Sequence, residues 1–354
     1  MKYEIKVTKT TAPKPHPTDE TKLGFGQIFT DHMFLMDFDP DKGWHDARIV
    51  PFGPLPMHPA ATVFHYGVEI FEGLKAYRRA DGAVALFRPD ENAKRFRNSA
   101  ERLCLPELDE EAFVDIVKTL VELEKDWVPS AEGTSLYIRP FMFGDDANLG
   151  VHGVHHAVFA VICSPVGAYY AEGINPVKIA IESKDVRAVR GGTGYAKCGG
   201  NYAASLRAGE EAEKQGYTQV LWLDGVERKY IEEVGSMNVM FKINGKIVTP
   251  ALTGSVLPGV TRKSCVQLLK DWGYEVEERL ISVDELFEAA ANGTLEGTAA
   301  VVSPIGHLFY QGKEYTVCNN EIGKVTHKLY DTITGIQCGK VADPYGWSVK
   351  VCNG

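Results

Sequence analysis

Residues 191–205 read GGTGYAKCGGNYAAS, one lysine among five glycines with a tyrosine five residues beyond it. Glycine accepts backbone angles that other residues reject, so the chain can turn sharply here and let other groups approach closely. A long cation in such a stretch has two chemical uses: its ammonium can hold a phosphate, or its amine can be a reagent. A surface turn with a solvated lysine is the plain alternative, and this window alone does not separate the three. The familiar phosphate motifs fit poorly. Gly194 and Gly199 have the spacing of a P-loop, but Gly200 and Asn201 stand where Lys and Ser/Thr are required. Gly192-Thr193-Gly194 opens a dinucleotide fingerprint, yet Lys197 occupies its third glycine position and no clean strand precedes it.

The whole chain narrows the choice. Its 354 residues suggest about two domains and can bury a core without disulfides. A net charge of −9 argues against a general nucleic-acid surface, because neutralising phosphates needs a cationic field. Seven scattered cysteines with no C-x-x-C argue against a disulfide framework or a cysteine zinc site, and no metal site is read. They resemble reduced cytosolic thiols. The N-terminus lacks a secretory apolar region and no run of eighteen apolar residues occurs, so a cytoplasmic protein without a membrane span is expected.

Along the chain, residues 1–22 read as an extended arm. Strands are expected at IFTDHMFLMDF, VALFRP, SLYIRPFMFG and HAVFAVICSPV. DENAKRFRNSAERL reads as a helix capped by Asp90. EEAFVDIVKTLVELEKDWV is a stronger helix, its Phe113, Ile116, Val117, Leu120 and Val121 recurring at helical spacing. The turn-rich GAYYAEGINP (167–176) is taken as a linker between an N-terminal domain, 1–166, and a C-terminal domain, 177–354, that carries Lys197. Beyond it come VKIAIES and QVLWLD as strands, YAASLRAGEEAEKQG as a helix, and a hairpin turning at Asn244-Gly245. VTRKSCVQLLKDWG and VDELFEAAANG follow as helices, and TAAVVSP as a buried strand.

A lysine that forms an imine needs a carbonyl partner. With pyridoxal phosphate (PLP) as that partner, three further groups are required: an acid at the pyridine nitrogen, a donor at the phenolic oxygen, and a phosphate cup. Glu232 and Glu233 sit in the strand-like YIEEVGSMN, though Glu-Glu pairs are commoner in surface turns. Tyr202 offers a phenolic donor, and a buried structural tyrosine fits equally. Gly259, Val260 and Thr261 open a helix, which supplies N–H groups for a phosphate or a simple helix entry. GTAA (297–300) is a second Gly-Thr turn, and Arg95 adds a cation.

Together HYGVEIFEGLKAY, SLYIRPF, GGTGYAKCGGNYAASL, QVLWLD, EEVGSMN, LPGVTR and GTAAVVSP, in this order, resemble the branched-chain amino acid aminotransferases, PLP enzymes of fold type IV. The resemblance implies an α+β fold of two domains with the cofactor in the interdomain cleft. It implies transfer of an amino group between leucine, isoleucine or valine and 2-oxoglutarate, the cofactor alternating between PLP and pyridoxamine phosphate. Lys197 matches the Schiff-base lysine and proton shuttle, Tyr202 the partner of the phenolic oxygen, and Glu233 the partner of the pyridine nitrogen. Arg95, Val260, Thr261 and Thr298 match phosphate-binding positions. Ser236 stands where many relatives have threonine, beside cofactor and substrate. Tyr66, Phe71 and Tyr137 match the side-chain pocket, and Arg139 the residue serving the glutamate side-chain carboxylate. Val151 matches a loop residue that reaches the site from the partner subunit, and Ala299 lies on the turn whose backbone meets the α-carboxylate. A homodimer at least is therefore implied. Ala300 and Ser303 replace a C-x-x-C found in some animal relatives, so no thiol switch is expected there. Rival expectations are a D-amino acid aminotransferase or aminodeoxychorismate lyase on the same fold, and an aldolase that forms its lysine imine without PLP.

Overall fold

The computed structural model describes residues 3–167, 175–299 and 303–353. The chain divides into two compact units. The first comprises Met1–Ala171, Ala196–Gly199 and Gly335–Gly354, and the second Glu172–Tyr195 and Gly200–Thr334. This departs from the division expected at 167–176 in two places. The lysine segment belongs to the first unit because Phe71 N donates to Lys197 O at 2.9 Å and Lys197 N donates to Ser99 Oγ at 2.9 Å. The C-terminal strand Ser348–Cys352 belongs there too, because it pairs antiparallel with Val84–Phe87. Residues 168–174 of the expected linker lie outside the described residues.

In the first unit the described residues form a nine-stranded sheet. From one edge its strands run Lys6–Val7, Gly43–Pro51, His32–Asp39, Ala157–Val166, Ser135–Gly144, Leu74–Arg78, Val84–Phe87 and Ser348–Cys352, with Glu69–Phe71 also paired to Ser135–Gly144. The four strands expected in this part of the chain are present. The helix Glu110–Leu123 forms as its apolar spacing predicts. Asp109 caps it, accepting from Ala112 N at 2.9 Å, and all five periodic residues are buried. The preceding helix, Pro89–Arg102, begins two residues earlier than a cap at Asp90 would place it. Arg88 takes the cap position in the left-handed region, and Asp90 lies in the first turn. The reason is Pro89, whose fixed φ suits the first helical position and whose missing N–H costs nothing there. Both helices seal one face of the sheet through Phe96, which meets Phe113 at 5.2 Å and Phe159 at 5.4 Å between ring centroids.

The second unit holds another nine-stranded sheet among the described residues. Its order is Ile231–Val234, Gln219–Leu223, Val177–Ile181, Ser303–Tyr310, Leu295–Ala299, Val239–Ile243, Lys246–Pro250 and Val276–Arg279, with Lys313–Thr316 paired to Ser303–Tyr310. The hairpin turns at Asn244 and Gly245, both at positive φ (51° and 85°), as the Asn-Gly pair predicts. Two expectations are corrected. The helix read across YAASLRAGEEAEKQG is interrupted, forming Gly199–Ala203 and then Leu206–Lys214. TAAVVSP is not one strand: Thr298 and Ala299 end one strand while Ser303 and Pro304 begin its antiparallel neighbour, and 300–302 lie outside the described residues. Continuous apolar runs do not reveal such a reversal. Among the described residues no helix is long and apolar enough to cross a membrane, and all seven cysteines are free.

Candidate active site

Lys197 is fixed by its backbone. Besides the bonds to Phe71 and Ser99, Cys198 bridges Ile70, and Gly199 N donates to the Glu69 carboxylate. A Cβ on Gly199 would lie 2.0 Å from Glu69 Oε1, so this glycine is required by close approach. Burial raises the Glu69 carboxyl above its usual range, and the Gly199 N–H opposes that shift. The Lys197 ammonium lies 4.6 Å from the centroid of the Phe71 ring. The plain alternative, a solvated surface lysine, does not fit these contacts.

The same strands bring an arginine and two aromatic rings beside the lysine. Arg139 lies 4.5 Å over Phe71 and 5.3 Å over Tyr137, and its Nη2 donates to the Tyr137 hydroxyl at 2.8 Å. Its Nε is buried with no hydrogen-bond partner. Gly73 makes room for the tyrosine, since a Cβ there would meet Tyr137 Oη at 2.3 Å. Phe25, which the sequence did not single out, packs edge-on against Tyr137 at 4.9 Å.

Arg95 is buried and forks onto Glu72, with Nε to Oε1 at 2.7 Å and Nη2 to Oε2 at 2.8 Å. Asn92 Nδ2 donates to the same carboxylate at 2.7 Å. Burial works to raise the Glu72 carboxyl, but Arg95, Lys197 and Asn92 together hold it below the usual range. The pair fixes the arginine and neutralises most of its charge. Elsewhere in this unit Tyr66 donates its hydroxyl to Leu149 O, and Val151, two residues on, is 83% exposed.

In the second unit Glu232 and Glu233 are both buried, which excludes the surface-turn reading. Neighbours on a strand face opposite ways. Glu233 accepts from Asn238 Nδ2 at 2.9 Å and Leu257 N at 3.0 Å, and pairs with Arg187 Nε at 2.9 Å. Glu232 instead accepts from the Ser255 hydroxyl, and burial raises its carboxyl. Asn238 also donates to Leu257 O at 2.8 Å, two residues before Gly259. A Cβ on Gly259 would lie 1.9 Å from Asn238 Oδ1, so the carboxylate and the helix start are built as one piece. The helix Val260–Asp271 opens with no side-chain cap, leaving its first N–H groups, at Val260 and Thr261, to other acceptors. Thr298 Oγ1 is buried with no partner, on a strand paired to Val239–Ile243. Tyr202 is half-buried and Ser236 is exposed in the turn after Glu233. Ala299 ends its strand.

A family model, amino-transferase class IV, matches residues 69–306. Branched-chain-amino-acid aminotransferase 2 of Bacillus subtilis (strain 168) is 56% identical over 355 residues, covering 99% of this chain and 98% of that protein. The chain belongs to the class IV amino-transferases. The branched-chain-amino-acid aminotransferase of Mycolicibacterium smegmatis is 46% identical, with 98% of both chains covered. Among solved structures, a branched-chain amino acid aminotransferase from T.th., with pyridoxamine 5'-phosphate, superposes with a TM-score of 0.77. It is 27% identical, over 92% of this chain and 100% of that one. The Escherichia coli branched-chain amino acid aminotransferase gives 0.76 at 26% identity, over 91% and 99%. The fold is thus the mixed α/β fold of class IV, as expected, and the aldolase alternative falls with it.

Several residues that hold these side chains in place were not singled out in the sequence. Glu72 and Asn238 lie inside the quoted FEGLKAY and EEVGSMN, where a charged or amide side chain amid apolar residues was the available signal. Arg187 and Ser99 carry no local signal, because only the tertiary fold brings them to Glu233 and Lys197.

Proposed function

We propose that this protein is a branched-chain amino acid aminotransferase, moving an amino group reversibly between L-leucine, L-isoleucine or L-valine and 2-oxoglutarate. The observation that carries the substrate class is the 56% identity with the Bacillus subtilis enzyme along nearly the full length of both chains. The reading does not favour D-amino acids or a lyase.

The residues present fit PLP. An amine, a carboxylate held by hydrogen-bond donors, an uncapped helix start and a buried threonine hydroxyl lacking a partner are the groups such a cofactor requires. When bound, PLP supplies an electron-accepting ring and takes up and returns the amino group. Lys197 would hold it covalently, and its amine would take the proton from the substrate α-carbon and later return one. Glu233, kept as an acceptor by Asn238, Leu257 and Arg187, would hold a proton on the ring nitrogen. Tyr202 would donate to the phenolic oxygen. Val260, Thr261 and Thr298 would hold the phosphate. Arg95 would add a charge already shared with Glu72. Ser236 would contribute a hydroxyl beside cofactor and substrate.

Phe71, Tyr137 and Tyr66 would give branched side chains an apolar wall with polar tips. Arg139 Nε would serve the second carboxylate of glutamate. The Ala299 backbone would meet the α-carboxylate. The exposed apolar side chains Phe64, Leu149 and Val151 support a homodimer in which Val151 serves the partner's site. Seven free thiols support a cytoplasmic setting.

The test is spectroscopic. Protein reconstituted with PLP should be yellow, and L-leucine and L-glutamate should each bleach it. Bleaching by D-amino acids alone would overturn the substrate assignment. A colourless protein whose Lys197 resists borohydride trapping would overturn the cofactor assignment as well.

A further inference from the structure

Apart from the lysine site, the first unit contains a cavity of about 800 Å³ walled by Asp39, His45, Asp145, Asp146, His152 and His155, among others. No step of amino transfer uses these residues. We propose that Asp146, His152 and His155 bind a divalent ion of the zinc class.

The donor atoms of the three residues all lie within 4.8 Å of one another, and Asp146 Oδ1 is 3.8 Å from His155 Nδ1. Ligands at zinc bond lengths of 2.0–2.1 Å stand about 3.3 Å apart in a tetrahedron. The exposed His155 side chain can close the remaining gap by rotation. His152 is already prepared. Its Nδ1 lies 2.6 Å from the carbonyl oxygen of Gly153. A carbonyl only accepts, so Nδ1 carries the proton and Nε2 carries the lone pair. That Nε2 is buried with no hydrogen-bond partner. An imidazole oriented through one nitrogen, with the other left bare, is how histidine is held for a metal.

Asp146 is equally fixed. It is buried, and its carboxylate accepts from the backbone N–H of His155 at 3.1 Å and of His156 at 3.2 Å. The His152 and His155 rings stack 5.4 Å apart at 12°, which places both imidazoles on one side of the loop. Asp145 Oδ1, on the same wall, is a second buried polar atom without a partner and adds negative charge. Two imidazoles and one carboxylate select zinc, cobalt or nickel over magnesium and calcium, which require oxygen ligands. The bound ion would tie Asp146 to His155 across the loop that carries Leu149 and Val151, and this inference does not depend on which amino acid the enzyme transfers.

Tag-free holoenzyme, dialysed against a chelator, should be titrated calorimetrically with Zn²⁺ and, separately, with Co²⁺ in the absorbance cell. One Zn²⁺ per chain is expected, with the intense visible bands of four-coordinate Co²⁺ and no response to Mg²⁺. His155→Gln and His152→Gln should each weaken Zn²⁺ binding at least about tenfold, and Zn²⁺ should raise Tm less in either of these variants than in the wild type. His327→Gln, which breaks the exposed His327–Asp331 pair, should change nothing. The proposal fails if the wild type binds no Zn²⁺, or if binding survives both loop variants unchanged. It fails too if Co²⁺ gives only the weak spectrum of a six-coordinate aquo ion. In those cases Asp146 serves only to clasp the loop through the two N–H groups.

Discussion

Replacing Arg139 by methionine should separate the two half-reactions. Its guanidinium is stacked over Phe71 and anchored to the Tyr137 hydroxyl, which leaves the buried Nε as the donor awaiting an acceptor. Glutamate brings a second carboxylate and leucine does not. A hydrogen bond to a charged group contributes about 1.5–3 kcal/mol, and each factor of ten in rate corresponds to about 1.36 kcal/mol. The kcat/KM for L-glutamate should therefore fall about 10–150-fold. Methionine keeps the side chain's apolar stem out to the position of Nε and a sulfur–aromatic contact with Phe71. The leucine reaction then loses a cation–π contact of about 0.5 kcal/mol, which keeps its change within about threefold. The assay is single-turnover loss of visible cofactor absorbance after rapid mixing with each L-amino acid. Equal losses for the two substrates would refute the assignment of Arg139 to the glutamate carboxylate.

Four further outcomes follow from the packing. Glu72→Ala strands the buried Arg95 charge together with the Asn92 amide and should cost about 3–5 kcal/mol, read as a lowered urea midpoint of the PLP-free protein. Burial pulls the Lys75 ammonium below its usual range. A lysine with a depressed folded pKa destabilises below that value and ceases to do so as pH rises through it toward the unfolded value. Lys75→Met should thus stabilise the protein at neutral pH, with a gain that shrinks toward pH 10.5; a pH-independent gain would contradict this. In the glycine window, Gly194→Ala places a Cβ 2.4 Å from Ser255 O and should cost about 1–3 kcal/mol. Gly200→Ala meets open space in a helix and should be neutral or stabilising by thermal melt.

Local pattern was sufficient where local physics decides. The periodic Phe113–Val121 face, the Asn244-Gly245 turn and the four expected strands of the first sheet could be read from the local pattern. The lysine segment could not. Its place in the first unit depends on bonds to Phe71 and Ser99, residues about a hundred or more positions away in sequence. The helix start at Pro89 required weighing proline geometry against a capping aspartate. The reversal inside TAAVVSP left no trace, because residues 299–302 are an uninterrupted apolar run with no turn residue. For the site, Lys197, Glu233 and the Gly259 helix entry were legible as residue types. The clamps that hold them were not, since Glu72, Arg187 and Ser99 declare themselves only when the fold brings distant segments together.

The edge strand Ser348–Cys352 has a consequence for synthesis. It pairs with Val84–Phe87 more than two hundred and fifty residues upstream, and the lysine segment joins the same unit from the middle of the chain. On the ribosome the second unit, Glu172–Tyr195 and Gly200–Thr334, is complete before the last strand of the first has emerged. Until Ser348–Cys352 emerges, Val84–Phe87 presents an open edge to any passing strand. A chain stopped before Ser348 would keep every residue assigned to catalysis and still leave the Val84–Phe87 edge open to other strands.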